Sequence, residues 1–433
     1  MKRPIVITLL VAALALVCIG IGSVIYFANG FQINNPFDKL NISSVLEESK
    51  TLKVDAKKPL TLTVNDAAGD VTVTGGDVTA VQVKAVKTAY DSTQARADEE
   101  VKTVKYTVEQ SGNNITIKYE IPKSMNFSNK INTVNFVITV PTETSIKINT
   151  SGEVSVSDTK GAVNIDNSFG KIVVQNIEGA LTVSNNSGDV KAVGIKAGTD
   201  DIELNSDFGN ITLEKANAAN ITFDSNSGKV SLKDVNATGD YYSKSDFGDT
   251  KFENGTAASV TIESKSGKVA LTKVTISKLI KVQDDFGDIT LTQASAASYD
   301  LHTNSGAVTV DGVKSNLKAS TDFGNIEITN AQSVTLDLLT KSGNIEFNGS
   351  LGAGPHTVTT DFGNVTLSLP ADSKLNVDLK TDFGKIQSDL PVTVTVTGSS
   401  SSNKEQIAGA VNGGGAQLTV KTNSGGININ AMK

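Results

Sequence analysis

The chain has 433 residues, a formal net charge of −7 and no tryptophan. Its 39 Lys and Arg residues are outnumbered by 46 Asp and Glu residues, which excludes the basic footprint of a nucleic-acid-binding protein. The single cysteine, Cys18, excludes a disulfide bond within the chain.

Residues 1–28 are predicted to form an N-terminal transmembrane signal-anchor. The segment 5–27 carries no charged residue and is longer than the roughly 20 apolar residues that cross a bilayer. Lys2 and Arg3 favour a cytoplasmic N-terminus, so the predicted localisation is the cell membrane, single-pass, with the bulk of the chain extracytoplasmic. A cleaved signal peptide is the alternative, but its apolar region usually spans only about 7–15 residues. Residues 29–50 are predicted to be a juxtamembrane linker.

Residues 51–144 are predicted to be a β-rich N-terminal cap with the first coils of a repeat. Val71 follows Gly69 with the spacing of the later copies. The polar segment 89–100 predicts a short helix or a loop insertion, and alternating residues on both sides of 111–114 predict a hairpin.

From residue 145 to residue 433 the sequence predicts a regular β-solenoid with a C-terminal closing coil around Gly425. Glycines recur about every 19 residues, and the residue before them alternates between Phe and Ser. Between the regular coils and the closing coil, residues 398–404 are predicted to be an exposed loop. The predicted structural corners of the repeat are Gly188, Phe208, Gly209, Gly228, Phe247, Gly248, Gly267, Phe286, Gly287, Gly306, Phe323, Gly324, Gly343, Phe362, Gly363, Phe383 and Gly384.

The spacing of apolar residues around each glycine indicates the fold class. Counted from Gly209, positions −7, −5, +2 and +4 are Ile202, Leu204, Ile211 and Leu213, and most other copies are also apolar there. Period-two alternation on both sides of a glycine is typical of two half-buried strands. A small apolar residue near +7 predicts a third side. We therefore predict an all-β, parallel β-solenoid (β-helix), preceded by one transmembrane helix.

Three further positions of the repeat carry specific predictions. Position −3 is Ser or Thr, and its parity predicts a buried ladder of hydroxyl groups that bond to backbone or to the next coil. By the same parity the Phe rings at −1 are predicted to point inward and to pack between the serines. Position −2 points outward and carries Asp in most Phe-Gly copies. Asp361 and Asp382 lie in consecutive Phe-Gly copies, and coils stacked in chain order do not account for this break in the alternation.

No catalytic, cofactor or metal site is predicted. The magnesium-binding Asp-Phe-Gly motif occurs once in a kinase, whereas it occurs six times in this chain. The repetition favours a structural role. Single carboxylates two coils apart do not converge as calcium requires. Only His302 and His356 are candidates for acid–base work; the first is predicted to be a solvated side chain and the second a strand-start residue.

The chain resembles a known family in its N-terminal anchor and in two further features. Val-Ile-Thr-Val-Pro at 137–141 leads into Ser-Gly-Glu-Val-Ser-Val at 151–156, and Ser-Gly and Asp-Phe-Gly coils follow. This pattern resembles the bacterial putative-adhesin β-solenoid family, a domain of unknown function, over roughly residues 50–433. Some anchored members belong to Lia-type cell-envelope stress systems. The resemblance implies a surface protein with a binding, scaffolding or stress-related role and offers no catalytic residue.

Three hypotheses about function follow. The first is a membrane-anchored extracytoplasmic β-solenoid that acts as a non-enzymatic, adhesin-like surface binding or scaffolding protein of the cell envelope. Its partners would be the cytoplasmic membrane, through the N-terminal helix, and an envelope protein or cell-wall polymer. The alternative is an envelope-stress sensor or a modulator of a membrane signalling partner. The third, a carbohydrate-active β-helix enzyme, is disfavoured because the coils have short connections and the chain has almost no arginine.

Overall fold

A computed structural model describes residues 42–55, 57–121, 130–399 and 404–432. The predicted membrane span and most of the predicted linker lie outside these residues. Among the described residues, no helix is long and apolar enough to cross a membrane.

The chain divides into two compact units. The first comprises residues 1–47, 86–105 and 121–133, as far as these are described, and contains helix α1 (Gln94–Thr103). Thr93 begins this helix because its hydroxyl oxygen accepts a hydrogen bond from the Arg96 N–H at 3.4 Å, a standard N-cap. The sequence predicted a short helix or a loop insertion here, and the helix is the form observed.

The second unit comprises residues 48–85, 106–120 and 134–433 and holds the solenoid. The N-terminal strands of the chain are β1 (Ile42–Lys53), β2 (Leu60–Asp66), β3 (Val71–Gly76), β4 (Ala80–Asp91), β5 (Tyr106–Ser111), β6 (Asn114–Tyr119), β7 (Thr133–Pro141), β8 (Thr144–Thr150) and β9 (Val154–Ser157). Strand β1 covers residues that the sequence assigns partly to a linker. Its side chains alternate between half-buried and exposed, a pattern that its Ser and Glu residues conceal in the sequence.

The remaining strands follow the repeat. The middle strands are β10 (Val163–Asn167), β11 (Ile172–Gln175), β12 (Leu181–Ser187), β13 (Val190–Val193), β14 (Ile202–Phe208), β15 (Ile211–Ala218), β16 (Ile221–Ser227), β17 (Val230–Ala237), β18 (Asp240–Phe247), β19 (Thr250–Ala257), β20 (Ser259–Ser266), β21 (Val269–Ile276), β22 (Leu279–Phe286), β23 (Ile289–Thr292), β24 (Ser298–Ser305), β25 (Val308–Asp311), β26 (Lys314–Phe323) and β27 (Ile326–Ser342). The C-terminal strands are β28 (Ile345–Leu351), β29 (His356–Phe362), β30 (Val365–Pro370), β31 (Leu375–Phe383), β32 (Ile386–Ser388), β33 (Val392–Ser399), β34 (Glu405–Val411), β35 (Ala416–Ser424) and β36 (Ile427–Met432).

The strands of the repeat pair in parallel with their copies one turn away, which confirms the predicted parallel β-solenoid. Ile202 pairs with Ile221, and Ile211 pairs with Val230. Positions −7, −5, +2 and +4 point inward: Leu204 and Leu213, for example, are 0% exposed. About 11 turns follow one another in chain order, from the corner at Gly170 to the corner at Gly363. Each turn therefore buries its apolar residues against the turns above and below it.

Each turn has a second corner that the sequence analysis did not anticipate. At position +6 the backbone adopts a left-handed conformation at non-glycine residues, among them Lys215 (φ 54°), Asp234 (φ 56°) and Asn254 (φ 50°). The chain turns here into the third side, where the predicted small apolar residues at +7 are buried, as Val235 and Val274 show. Asn and Asp tolerate this conformation better than most residues, which is the signal that was available in the sequence.

The predicted hydroxyl ladder at position −3 is present. Thr340 donates to the carbonyl oxygen of Gly324, one turn back, at 3.0 Å, and Thr360 donates to that of Gly343 at 3.0 Å. The threonines therefore tie each turn to the corner of its neighbour. Ser225 and Ser245 are buried in the same ladder but have no hydrogen-bond partner within the described part of the chain, so the prediction of a bond for every member is wrong.

Two aspartates, Asp66 and Asp284, replace the hydroxyl at this position. Both are at most 3% exposed. The pKa of Asp66 is raised to about 7 by burial and, to a smaller extent, by the charge of Asp70, against a hydrogen bond from the Ala68 N–H that lowers it. Burial likewise raises the pKa of Asp284 to about 6, against a hydrogen bond from the Phe286 N–H that lowers it.

We expect these two carboxyl groups to make the solenoid less stable as the pH rises. In the folded chain both carboxyl groups have a pKa above the unfolded value of about 3.9. Their contribution to the free energy of unfolding is therefore complete below about pH 4 and is lost between about pH 4 and 7. Asp284→Thr should raise the free energy of unfolding at pH 8 by at most about 3 kcal/mol, less where water screens the carboxylate, and should leave it unchanged near pH 4. Urea unfolding at both pH values measures this. Asp166→Asn, on an exposed position, is the control, and an equal gain at pH 4 would contradict the expectation.

The C-terminal end of the solenoid is not built in chain order. Strand β35 pairs in parallel with β29 on one side and with β31 on the other, and β36 lies between β30 and β32. The last turn of the sequence is therefore inserted between the turns at Gly363 and Gly384. The prediction that it closes the C-terminal end is wrong, because β31 and β32 lie outside β35 and β36 in the stack.

The N-terminal end has a corresponding arrangement. Strand β2 lies between β6 and β8, and β3 lies between β7 and β9, so the first turn in sequence is the second in space. The predicted hairpin is confirmed as β5 paired antiparallel with β6. At the other end, β34 pairs antiparallel with β31 and with β33. An antiparallel strand thus covers the outer edge of the solenoid at each end, where exposed edges would invite aggregation.

Candidate functional site: an exposed phenylalanine ladder

The phenylalanine rings that precede the corner glycines point into solvent. This contradicts the predicted inward direction. The alternation of inward and outward side chains along the strand stops at position −3. From there on, the buried hydroxyl group and the closely stacked glycine backbones fill the inside of the corner. The seven side chains are each 61–66% exposed, and we call them the phenylalanine ladder: Phe169, Phe208, Phe247, Phe286, Phe323, Phe362 and Phe383.

The ladder alternates strictly between a ring and a serine. In the backbone register Phe247 lies between Ser227 and Ser266. Rings therefore recur every second turn, about 9.6 Å apart, since parallel strands are about 4.8 Å apart. The alternation continues at the C-terminal end, where Ser424 lies between Phe362 and Phe383. The inserted turn thus explains why two Phe-Gly copies follow one another in the sequence.

A column of aspartates runs beside the rings at position −2, and each aspartate there is paired within the chain. Lys265 Nζ lies 2.7 Å from Asp246 Oδ2, and Asn304 Nδ2 donates to Asp285 Oδ1 at 3.0 Å. The same contact occurs in the inserted turn, where Asn423 Nδ2 donates to Asp361 at 2.9 Å. The remaining pairs of this column, which we call the acidic ladder, are Asn226 with Asp207 at 2.7 Å, Lys341 with Asp322 at 2.6 Å and Lys404 with Asp382 at 3.6 Å.

The other flank of the rings, at position +1, is held by side chain to backbone hydrogen bonds. Asp249 Oδ1 accepts from the Lys268 N–H at 3.0 Å, and Asn344 Oδ1 accepts from the Asn364 N–H at 2.9 Å. No role was predicted for this position, although Asn and Asp recur there in the sequence. Because each bond links one turn to the next, the backbone beneath the rings is fixed and the rings keep a constant spacing.

His302 lies on the same surface, and its environment differs from the solvated one predicted. The ring is half-buried, with Nδ1 2.8 Å from Ser320 Oγ and Nε2 3.1 Å from Asn304 Oδ1. It lines a shallow depression of about 360 Å³ together with Glu263 and Gln283. These contacts form a surface hydrogen-bond network that reaches the acidic ladder through Asn304.

His356 begins β29, as predicted, and is fully buried. Its Nδ1 accepts a hydrogen bond from the Leu336 N–H at 3.3 Å, and burial lowers the pKa of the imidazole. The two histidines occupy different turns and make separate contacts. Across the residues that the structure describes, no group of three or more His, Cys, Asp or Glu side chains is placed to hold a metal ion.

These features define a repeat protein of the β-solenoid class whose candidate site is a ridge on its surface. The chain belongs to the family described as Toastrack DUF4097, whose model matches residues 60–285 and 254–430. The resemblance to a putative-adhesin β-solenoid family is thereby confirmed. The two matches overlap at 254–285, and the phenylalanine ladder runs through this overlap without interruption.

Three solved structures are similar to the chain at low sequence identity. A putative cell adhesion protein from Clostridium sporogenes is 10% identical, with 90% of this chain and 100% of that chain covered and a TM-score of 0.18. A putative adhesin from Bacteroides fragilis is 15% identical, with 65% and 97% covered and a TM-score of 0.25. A putative adhesin from Parabacteroides distasonis is 13% identical, with 70% and 97% covered and a TM-score of 0.23. No curated protein sequence matches the chain.

Proposed function

We propose that the protein is a membrane-anchored, extracytoplasmic β-solenoid that acts as a non-enzymatic, adhesin-like binding protein of the cell envelope and binds through the phenylalanine ladder. The observation that carries this proposal is the outward direction of seven rings that a soluble chain would be expected to bury. Aromatic residues are enriched at protein interfaces, so a row of exposed rings favours an interaction site.

The physical argument for binding starts from the rigid spacing of the rings. A flexible surface would have to order its side chains on association, and each ordered side chain costs about 0.5–1.5 kcal/mol. Here the backbone is fixed by the sheet ladders and by the hydrogen bonds at position +1, and a phenyl ring has only two side-chain torsions. Aromatic rings also dominate the energetics of interfaces. The ladder is therefore suited to a partner with a regular, extended surface.

Membrane anchoring is part of the proposal and rests on the sequence alone. The charge-free segment 5–27, preceded by Lys2 and Arg3, would place the solenoid outside the cytoplasm. Protease treatment of intact cells measures this. We expect the solenoid to be accessible to protease and to sediment with membranes; a chain that is protected in intact cells and recovered in the cytosolic fraction would contradict the proposed location.

The binding proposal is tested by replacing rings with the serine that the alternate turns already carry. We expect Phe247→Ser, Phe286→Ser and Phe323→Ser, combined in the full chain, to reduce retention of the protein on washed cell-envelope preparations by at least about tenfold, because ring burial contributes most of the interface energy. The fold should be unchanged, since Ser occupies the same position in neighbouring turns.

Leu339→Ser is the matched control for this experiment. Leu339 is an exposed apolar residue of the same solenoid, 45% exposed, that lies outside the ladder. Its replacement should leave retention unchanged. If the triple variant and the control bind envelope material as well as the native chain does, the ladder is not the binding surface.

A further inference from the structure

We infer that the phenylalanine ladder pairs with the phenylalanine ladder of a second copy of this chain, antiparallel and displaced by one turn. The inference rests on the proposed function, because it names the partner of the surface proposed there. It follows from the alternation of rings and serines, from symmetry, from the charges beside the rings and from the exposed area.

The alternation makes the surface complementary to itself. Phe247 and Phe286 are two turns apart, about 9.6 Å, and Ser266 lies between them. A ring from a second copy placed above Ser266 would lie about 4.8 Å from each neighbour. Aromatic pairs favour centroid separations of about 4.5–7 Å, so the gap fits one phenyl ring.

Symmetry then selects the direction of pairing. A two-fold axis perpendicular to the solenoid axis brings the ladder against itself in the opposite direction, as in any interface that uses the same patch on both copies. A displacement of one turn sets every ring against a serine. A parallel pair related by a two-fold axis along the solenoid would instead set each ring against the same ring, with the serine gaps unfilled.

The charges beside the rings are compatible with the same arrangement. With the two-fold axis between the turns of Gly267 and Gly287, Lys265 faces Asp285 of the second copy. Asp246 then faces Asn304, and Asp207 faces Lys341. Because Asp alternates with Asn or Lys along the acidic ladder, the displacement of one turn never sets two aspartates against each other. Like charges in contact would oppose association.

The exposed area is sufficient for a stable pair. Seven rings that are 61–66% exposed present on the order of 800 Å² of apolar surface in each copy. A standard protein–protein interface buries about 800 Å² on each partner. An anionic polymer is a poorer occupant, because six aspartates outnumber three lysines in the acidic ladder. A smooth neutral polymer would leave the serine gaps empty.

Antiparallel pairing also agrees with an adhesive role. It places the N-terminal ends of the two solenoids at opposite ends of the pair. Two chains anchored at their N-termini in opposing surfaces would meet in this arrangement.

The first test is the mass of the full chain in detergent solution, measured by light scattering or sedimentation. We expect a dimer for the native chain and for Leu339→Ser. The combined Phe247→Ser, Phe286→Ser and Phe323→Ser variant should weaken dimerisation by at least about 100-fold, since several central rings are removed. Circular dichroism checks that the variant is folded. A native chain that stays monomeric at high concentration, or a triple variant that dimerises normally, overturns the inference.

The second test leaves the rings in place and uses cross-linking in a Cys18→Ser background. Ser266→Cys lies beside the inferred two-fold axis, so a short bis-maleimide reagent should join the thiols of two copies. Ser187→Cys lies near one end of the ladder and should not cross-link to itself, but it should cross-link to Ser424→Cys in a mixture of the two variants. Equal cross-linking of Ser187→Cys and Ser266→Cys with themselves overturns antiparallel pairing.

The two proposals fail separately. A monomeric chain that is retained on cell envelopes, or on chitin or cellulose as neutral glycan probes, in a ring-dependent manner overturns the second copy as partner and leaves the binding function intact. A chain that neither dimerises nor binds any of these materials through the rings overturns both.

Discussion

Replacing Gly306 with alanine is expected to lower the free energy of unfolding by more than about 4 kcal/mol or to prevent folding of the surrounding turns. A Cβ atom at this position would lie 2.0 Å from the carbonyl oxygen of Gly287 in the adjacent turn. Real Cβ atoms do not approach a backbone oxygen so closely, so the two turns would have to separate. Separation would break the parallel hydrogen bonds and open the core on both sides of the corner, because the stability of a solenoid comes from contacts between neighbouring turns.

Gly312→Ala in the same turn is the matched control. Gly312 has a φ of +82°, and a Cβ atom there would lie 3.8 Å from its nearest neighbouring atom, so alanine meets strain in the backbone but no close contact. We expect a cost of about 1–2 kcal/mol. Chemical denaturation followed by circular dichroism, together with protease resistance, compares the two variants. Equal costs would show that the close approach of corner backbones does not limit the fold.

The local structure of each turn could be predicted from the sequence because it depends on side chains a few residues apart. Ile211 and Leu213 share a face of a strand whatever the rest of the chain does, and the strand period alone indicates that they are buried. The hydroxyl ladder was predictable for the same reason. Thr340 has the parity of the core, and a buried hydroxyl needs an acceptor, which the adjacent glycine carbonyl supplies.

The direction of the rings could not be obtained from parity. Parity holds along a strand, whereas Phe208 and its equivalents lie where the strand ends and the backbone turns. What decides the direction there is the space inside the corner, which depends on contacts between turns. Gly209 would place a Cβ atom 2.2 Å from the carbonyl oxygen of Gly188, so the corner is already filled by backbone. The rings were therefore predicted as structural corners of the repeat, but on the wrong side of the sheet.

The order of the turns at the C-terminal end could not be predicted from the local pattern either, although the sequence contained one signal of it. A repeat records which strands are similar but not which copies are neighbours in space. Asp361 and Asp382 follow one another at position −2, where Asp otherwise alternates with Asn or Lys. The separate copy near the end of the chain carries Asn423, which is the residue type missing between them. An interrupted alternation together with a detached copy of the missing type therefore indicates insertion.

Removal of the inserted turn is expected to unfold the C-terminal end of the solenoid. In a chain that ends at Gly415, strand β31 loses its parallel neighbour and β32 loses its neighbour β36. The deletion also removes Leu418, Val420, Ile427 and Ile429, which are at most 1% exposed, and each buried aliphatic side chain contributes about 1.5–3 kcal/mol. We expect residues 371–415 to become sensitive to protease. A shorter chain that ends at Pro370 keeps a complete final turn and should remain resistant throughout.

Cysteine pairs test the spatial order itself in a Cys18→Ser background. Thr359 and Lys421 are register partners in adjacent strands, so Thr359→Cys with Lys421→Cys should form a disulfide in the full chain. Thr359→Cys with Lys380→Cys should not, because Lys380 pairs with the far side of β35 and lies about 9.6 Å from Thr359, beyond the reach of about 7 Å. In the chain that ends at Gly415, the second pair would form only if β31 moved into the vacated place. That movement would set Asp382 beside Asp361 and Phe383 beside Phe362, so we expect it to be disfavoured. Efficient formation of the second disulfide in the full chain would show that the turns are stacked in chain order.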